Sequence, residues 1–394
     1  MISVAEAARR IAVALSPIDT ETMDVAHLAG RVLAEDAVAL TIQPPVPVSA
    51  MDGFAVRLAD AGAPRRLIGS APAGHPFAGK VGAGEAVRIF TGGGVPEGAD
   101  AIVIKEDAAC DGVVVSFDAS ACSPHHIRAA GLDFKKGDVL ATTHRRLTGR
   151  DCALLAASDI AQAKVRRRPR VAIISIGDEL SRPGEERMPG GIVASSVYGL
   201  YGMIQAWGGA PCDFGIVQDN EAEIATVADA DADLIVTLGG VSVGDHDLVQ
   251  KALGTKDFAL EFWRVAMRPG KPLIFGKLGK TPLLGLPGNP VSTLVCAILF
   301  LKPAIAAMLG TDPEDETLTA RLIADLPAND TRQTYLRAKR TRQGGECWVE
   351  AFAAQDSSML TVLAQADALI VRAPDAPAAK SGERVDVIPL DGSN

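Results

Sequence analysis

Residues Leu234–Leu238, reading Leu-Ile-Val-Thr-Leu, run directly into Gly-Gly-Val-Ser-Val-Gly-Asp-His-Asp at 239–247. No other junction in the chain restricts the fold as much. A short apolar run reads as a buried strand, and a glycine-rich turn at its carboxyl end is where open α/β sheets hold ligands. Gly239, Gly240 and Gly244 let backbone N–H groups approach a phosphate without interference from a Cβ. Ser242 adds a hydroxyl, and Asp245 or Asp247 can hold a divalent cation beside the anion. The same residues also suit a plain glycine turn with an Asp helix cap, so the loop alone does not decide.

The neighbouring sequence supports a layered sheet. Strand-like runs at 171–176, 214–217 and 234–238 alternate with helical stretches at 195–207, 221–228 and 291–309. This pattern predicts a doubly wound parallel α/β domain whose ligands sit beyond the carboxyl ends of its strands. A chain of 394 residues exceeds what one core supports. Upstream, 3–15 has helical periodicity, and Pro44-Pro45-Val46-Pro47 marks an extended crossing. Gly, Pro and Val enrichment over 40–136, with strand-like pieces at 86–90 and 101–104, predicts a small β domain. A helical stretch is expected over 139–163, followed by Lys164, Arg166, Arg167, Arg168 and Arg170 as a solvated basic linker. Past Gly310, β-rich pieces at 335–341, 347–351, 369–371 and 384–388 predict a second small β domain.

Composition narrows the partners. A net charge of −9 argues against non-specific nucleic-acid binding. The six cysteines form no CxxC pair and the histidines no HExxH, so zinc by standard motif is unsupported and reduced thiols are expected. The start, Met1-Ile2-Ser3-Val4-Ala5-Glu6, has an acid where a signal peptide would have basic residues. The best apolar run, 291–301, stops at Lys302, short of a membrane span. The expectation is a cytoplasmic protein with neither membrane nor nucleic-acid partners.

Carboxylates recur after successive strands, in Gly177-Asp178-Glu179-Leu180 and Gln218-Asp219-Asn220. With the aspartates of the glycine loop they would gather at one rim. Converging like charges are costly unless a cation or proton relieves them, which points to Mg2+, although each acid singly also reads as a helix cap. Positive charge comes from Arg264, Arg268 and Lys271, around Met267-Arg268-Pro269-Gly270-Lys271-Pro272. Pro287-Gly288-Asn289-Pro290 then opens the long helix, with Asn289 at the cap and Pro290 at the first helical position.

These residues belong to a denser pattern. Ser49-Ala50-Met51-Asp52-Gly53-Phe54-Ala55-Val56-Arg57 resembles the SAMDGYAVR block of the molybdopterin molybdenumtransferase family, bacterial proteins similar to the E domain of gephyrin. Arg88-Ile89-Phe90-Thr91-Gly92 with Val95-Pro96-Glu97-Gly98-Ala99-Asp100 resembles that family's RIxTGxxVPxGAD block, and 239–247, 269–272 and 285–291 match three more. The resemblance spans 3–389. It implies that adenylated molybdopterin and molybdate become molybdenum cofactor and AMP with Mg2+ assisting. In that reading Asp52, Thr91, Glu179, Asp219 and Asp247 are catalytic, and Glu179, Asp219 and Asp247 serve the metal. The glycine loop, Lys271, Pro287 and Asn289 bind the pterin substrate, and Arg264, Arg268, Arg337, Ser357 and Ser358 form the oxyanion pocket.

The resemblance also implies a homodimer. Residues 19–39 and 137–168 would form a discontinuous, elongated helical and strand dimerisation domain, and 40–136 an inserted β domain carrying Asp52 and Thr91, which closes the partner's pocket. Residues 1–18 and 169–311 would form the α/β molybdopterin-binding domain, and 312–394 a C-terminal β-barrel-like domain. Molybdopterin adenylyltransferase and apo molybdoenzymes or their chaperones are the implied partners. Three departures stand out. Ala194-Ser195-Ser196 replaces the family's usual Asp-Ser-Asn, Gly131-Leu132-Asp133 replaces Gly-Glu-Asp, and Arg264 and Arg268 replace lysines with planar forks suited to oxyanions. The rival readings are a diverged non-catalytic scaffold and an activity like that of molybdopterin adenylyltransferase.

Overall fold

A computed structural model describes residues 1–240, 252–254, 256–312 and 317–390. The chain forms two compact units, Thr22–Val165 and Met1–Glu21 with Arg166–Asn394.

In the Thr22–Val165 unit, β1 (Gly53–Val56), β2 (Arg65–Ala71), β3 (Glu85–Ile89), β4 (Ala101–Ile104), β5 (Ala108–Cys110) and β6 (Val114–Phe117) form a sheet in the order β4-β1-β3-β2-β6-β5. The β2–β3 pair is parallel and the other pairs are antiparallel. Because side chains alternate along a strand, Phe54, Val56 and Val103 enter one core, while Ala55, Ile89 and Ile102 enter the other. Both faces are therefore covered.

The stretch 139–163 is not one helix. Its helical part is Gly149–Ala157, opened by a capping box in which Thr148 and Asp151 serve each other. Val139–Ala141 is instead a strand paired with Ala37–Val38, and Gln162–Arg166 is another. Gln162–Arg166 alternates polar and apolar residues with a period of two, whereas Val-Leu-Ala at 139–141 has no such pattern and is set by its strand partner.

In the other unit, β7 (Arg170–Ile176), β8 (Ala210–Val217), β9 (Leu234–Leu238), β10 (Phe258–Arg264), β12 (Pro272–Leu278) and β13 (Thr281–Leu286) make a sheet ordered β8-β7-β9-β13-β12-β10. The first four strands are parallel; β7, β8 and β9 fall on the expected runs, and β13 is an addition to them. The last two are antiparallel, so the sheet is mixed. Gly279 and Lys280 alone link β12 to β13, with Gly279 at φ +58°, and a two-residue turn cannot carry a parallel crossover.

Helix α1 (Val4–Ala14) is capped by the Ser3 hydroxyl. Helix α2 (Ser196–Ala206) follows β7, and α3 (Glu221–Ala225) continues into a 3-10 turn at Thr226–Asp229. Ile224 and Val227 pack with Ile174, Ile235 and Leu253 on one face of the sheet. Helix α4 (Pro290–Leu309) contains a π turn at Ala297–Leu301 and runs on through Lys302. Contrary to the sequence reading, α4 is long and apolar enough to cross a membrane, yet 61% of that apolar window is buried within the protein. Val291, Val295, Phe300 and Ile305 are fully enclosed, which accounts for the apolarity.

The basic run after 163 is a solvated face only in part, with Lys164, Arg168 and Arg170 exposed. Arg167 makes a two-pronged pair with Asp233 at 2.5 and 2.7 Å, Arg170 pairs with Asp231 at 2.7 Å, and Arg166 donates to the Ile18 carbonyl at 2.8 Å. All six cysteines are free thiols.

Beyond α4, β14 (Leu318–Leu322), β15 (Gln333–Gln343), β16 (Glu346–Ala351), β17 (Ala368–Arg372) and β18 (Arg384–Pro389) close a five-stranded barrel. Its ring runs β15-β16-β14-β18-β17 and returns to β15. Gly344 and Gly345, at φ +58° and +86°, form the hairpin turn between β15 and β16. Leu322, Ala338, Val349, Ile370 and Val387 fill the interior. A short segment, β11 (Met267–Arg268), pairs in parallel with the start of β15, matching Met267 to Gln333 and Arg268 to Thr334.

Candidate functional site

The carboxyl ends of β7, β8, β9 and β13 converge on one open cleft of about 1020 Å3. Its position follows from connectivity. The chain leaves β7 for β8 on one side and returns to β9 on the other, and such a reversal opens a crevice above the strand ends. Ser175 and Ile176 line it from β7, Asp219 from the loop after β8, Gly239 and Gly240 after β9, and Pro287, Gly288 and Asn289 after β13. The barrel contributes Ser358 and Leu360.

Gly239 has no tolerable replacement. It sits at φ +87°, its N–H donates to the Leu286 carbonyl at 3.1 Å, and an added Cβ would lie 2.5 Å from the Ile176 carbonyl oxygen. Gly240 follows at φ +69°. Glycine is required here by the protein's own backbone, whose Ile176 carbonyl lies against Gly239. Ser242, Gly244, Asp245 and Asp247 lie outside the described residues.

The acid rim is present in part. Glu179 and Asp219 both line the cleft; the Asp219 carboxyl accepts a backbone bond from Asp178, and neither acid has a cationic side-chain partner among the described residues. Asp178 accepts from the Asp219 N–H at 3.0 Å and adds its own charge. Burial, then the charges of Asp178 and Glu179, push the Asp219 carboxyl above the usual range. Among the described residues no group of three His, Cys, Asp or Glu side chains is placed to hold a metal. Asp247, the third expected ligand, falls outside them. Two unpaired oxygen-donor carboxylates that repel one another fit a hard divalent cation.

Asn289 has the backbone of a helix cap, but its side chain caps nothing. It donates instead to the Ser357 hydroxyl at 3.0 Å, while the Val291 N–H donates to the Ser357 carbonyl at 3.1 Å. Asp356 accepts from the Ser358 hydroxyl at 2.6 Å and N–H at 2.8 Å, and these bonds hold its carboxyl low. The barrel loop is thereby fastened to the start of α4.

The expected cations lie outside the cleft wall. Arg337 is 2% exposed. One of its terminal nitrogens donates to the Asp356 carbonyl at 3.3 Å, its Nε has no partner, and burial lowers its affinity for the proton. Gln355 clamps its backbone from both sides. Arg264 lies 3.6 Å from the centroid of the Trp263 ring with a buried, unpartnered Nε. Arg268 is bound by Asp330 at 2.7 Å. Of the Arg268–Pro272 loop, Pro272 reaches the cleft, whereas Arg268 and Lys271 do not line it. An apolar wall of Leu180, Ile192, Val193 and Leu360 went unrecognised in the sequence, since it comes from two-residue strands at 180–181 and 192–193 and from the start of the short helix Leu360–Gln365, all too short to show periodicity.

In the Thr22–Val165 unit, Asp52 and Thr91 form one local device. Asp52 accepts from the Thr91 N–H at 2.8 Å and its hydroxyl at 2.9 Å, which holds the carboxyl below the usual range. The Arg88 guanidinium lies over Phe54 at 5.0 Å and Phe90 at 5.5 Å. A separate pocket of about 540 Å3 is lined by Pro44, Pro45, Gly92, Arg128, Leu132 and Asp133, among others.

Three family models match the chain. They are the MoeA N-terminal region (domain I and II) over residues 2–158, a probable molybdopterin binding domain over 172–307, and the MoeA C-terminal region (domain IV) over 319–390. The chain is 33% identical to the molybdopterin molybdenumtransferase of Haemophilus influenzae, covering 95% of each. It is 34% identical to that of Nostoc sp., covering 94% of this chain and 89% of that one. The crystal structure of a molybdopterin biosynthesis MoeA protein from Pyrococcus horikoshii superposes with a TM-score of 0.84 at 28% identity, covering 99% of both chains.

Proposed function

Since the chain belongs to the MoeA family of molybdenum cofactor biosynthesis proteins, whose curated relatives are molybdopterin molybdenumtransferases, we propose that it inserts molybdenum into adenylated molybdopterin. The proposed reaction takes molybdate and releases AMP with Mg2+ present. The cleft above the strand ends is the observation that carries this reading, because it joins a glycine turn to a rim of acids with no cationic partner among the described residues.

In this reading the Gly239–Gly240 turn receives the phosphate of the pterin substrate. Glu179 and Asp219, with Asp247, would hold Mg2+, which supplies charge neutralisation to the phosphate oxygens. Ser175 and Asn289 offer polar contacts along the floor, and the wall of Leu180, Ile192 and Leu360 excludes water from one side. Arg264, Arg268 and Arg337, with Ser357 and Ser358, would receive the molybdate dianion, the cargo of the reaction. Asp52 and Thr91 act in the same chemistry from the Thr22–Val165 unit. A homodimer in the cytoplasm is the expected working form.

The test incubates the purified protein with adenylated molybdopterin, molybdate and Mg2+, and measures AMP release together with reconstitution of an apo molybdoenzyme. Release dependent on both molybdate and Mg2+ supports the assignment. Absence of release from folded protein rejects it.

A further inference from the structure

The barrel places a carboxylate where an incoming oxyanion would go. The β11–β15 pairing, with Gln333 N–H donating to the Ala266 carbonyl at 2.9 Å, fixes the loop before β15 beside Arg268. In that loop, Asp330 Oδ2 receives a terminal nitrogen of Arg268 at 2.7 Å and one of Arg332 at 2.9 Å. Asp330 Oδ1 accepts from the Arg332 N–H at 2.9 Å, and the Asp330 carbonyl accepts from the Asp375 N–H at 2.8 Å. Two guanidinium groups therefore share one carboxylate oxygen. A bound tetrahedral oxyanion would demand the same two donors.

The pair is neither buried nor free. The Arg268, Asp330 and Arg332 side chains are 54%, 40% and 25% exposed. Water and ions can reach all three, so the contact can open without stranding a buried charge. Asp330 is itself anchored by the turn it makes with Arg332, whereas the Arg268 side chain has no other bond among the described residues. When the contact opens, Arg268 is the group that leaves.

We propose that Asp330 is an internal counter-anion that occupies Arg268 and Arg332 in the unloaded protein and is displaced by a tetrahedral oxyanion such as molybdate. Asp330 thus sets the threshold for oxyanion entry. This inference rests on the reading of Arg268 as an oxyanion ligand. The Arg332 hydrogen bonds hold the Asp330 carboxyl below the usual range, so it competes as an anion throughout neutral pH.

The experiment is calorimetric titration of the full chain with sodium molybdate at low ionic strength, with sulfate as a dianion of equal charge. Asp330→Asn keeps an oxygen acceptor for the Arg332 N–H while removing the charge. Asp330→Ser is a second variant with a short acceptor for the same turn. Both should bind molybdate about three- to fivefold more tightly than wild type, and the gain should shrink as salt screens the exposed pair. Arg268→Ala should bind several-fold more weakly, and adding Asp330→Asn to it should restore little. If Arg268→Ala binds like wild type, the oxyanion reading of Arg268 fails and this proposal falls with it. If Arg268→Ala weakens binding while both Asp330 variants, melting like wild type, match or fall below wild-type affinity, the counter-anion proposal alone is overturned.

Discussion

Asp52 accepts two bonds from Thr91 in the Thr22–Val165 unit and is held more acidic than usual. In the other unit, Asp219 accepts a backbone bond from Asp178, yet burial and the charges of Asp178 and Glu179 outweigh it and make the carboxyl less acidic. The contrast separates two uses of one side chain. An aspartate with two strong local donors shapes its own turn, whereas one whose single backbone donor is outweighed by burial and like charges suits a ligand that brings positive charge. Each aspartate has a glycine turn nearby, and the turns differ as well. Gly239 is walled in by the Ile176 carbonyl, whereas a Cβ on Gly92, at φ +80°, would meet only Ala73 Cβ at 3.7 Å.

The sharpest way to break this comparison is to neutralise each acid in turn. Asp219→Asn should cut Mg2+-dependent AMP release by about a hundredfold or more and raise the Mg2+ needed for half-saturation, because one cation contact is lost. Asp52→Asn retains an acceptor for Thr91 and should lower turnover without moving the Mg2+ requirement. Equal shifts in Mg2+ requirement would erase the distinction.

Next come the glycines. Gly239→Ala should cost about 2–4 kcal/mol through steric conflict added to left-handed strain, and Gly92→Ala about 1–2 kcal/mol from strain alone. All three tryptophans, Trp207, Trp263 and Trp348, lie in the unit containing Gly239. Urea unfolding followed by tryptophan fluorescence suits Gly239→Ala, and hydrogen exchange suits Gly92→Ala. A milder effect at Gly239 would mean that the Ile176 carbonyl yields.

A smaller effect separates the two acids by pH. The folded pKa of Asp219 is raised, so its contribution to stability is complete below about pH 3.9 and is lost as pH rises through the folded value. The folded pKa of Asp52 is lowered, so its contribution is present above about pH 3.9 and lost as pH falls through the folded value. Without ligand at pH 7, Asp219→Asn should therefore melt about 1–2 °C higher than wild type, an advantage that fades toward pH 3.5. A lower melting temperature at pH 7 would contradict the origin assigned to the shift. The finest probe is Thr91→Val, which removes the hydroxyl but not the N–H. Titration of the Asp52 carboxyl by NMR should show its pKa moving partway back toward the ordinary value.

Much of this arrangement was legible in the residues. Leu234–Leu238 is the strand expected, helix α2 falls one residue inside each end of the expected 195–207, and Glu179, Asp219, Gly239, Gly240, Pro287, Asn289 and Ser358 all line the cleft. These signals are local, since an apolar run or a glycine turn carries its meaning with it. Strands β10, β12 and β13, which join through antiparallel pairings, were missed because Arg264, Arg268, Pro269 and Lys271 give the β10–β12 connection the look of a loop. Pro272 is tolerated as the first residue of its strand. The burial of Arg337 was illegible for a different reason. A charge in an alternating strand reads as solvent-facing, whereas Arg337 is buried and bonded to Gln355 and Asp356 of the barrel loop.

The bond from the Val291 N–H to the Ser357 carbonyl has a consequence for how the protein can be cut or fused. Pro290 has no N–H, so Val291 carries the first backbone donor of α4, and that donor is satisfied by a residue 66 positions later in the chain, 357 minus 291. A chain ending before the barrel would expose this amide and remove Ser358 and Leu360 from the cleft wall. The barrel is therefore a poor module to delete or exchange. The rate at which the Val291 amide trades its proton for deuterium would report, at one atom, whether a grafted barrel has seated.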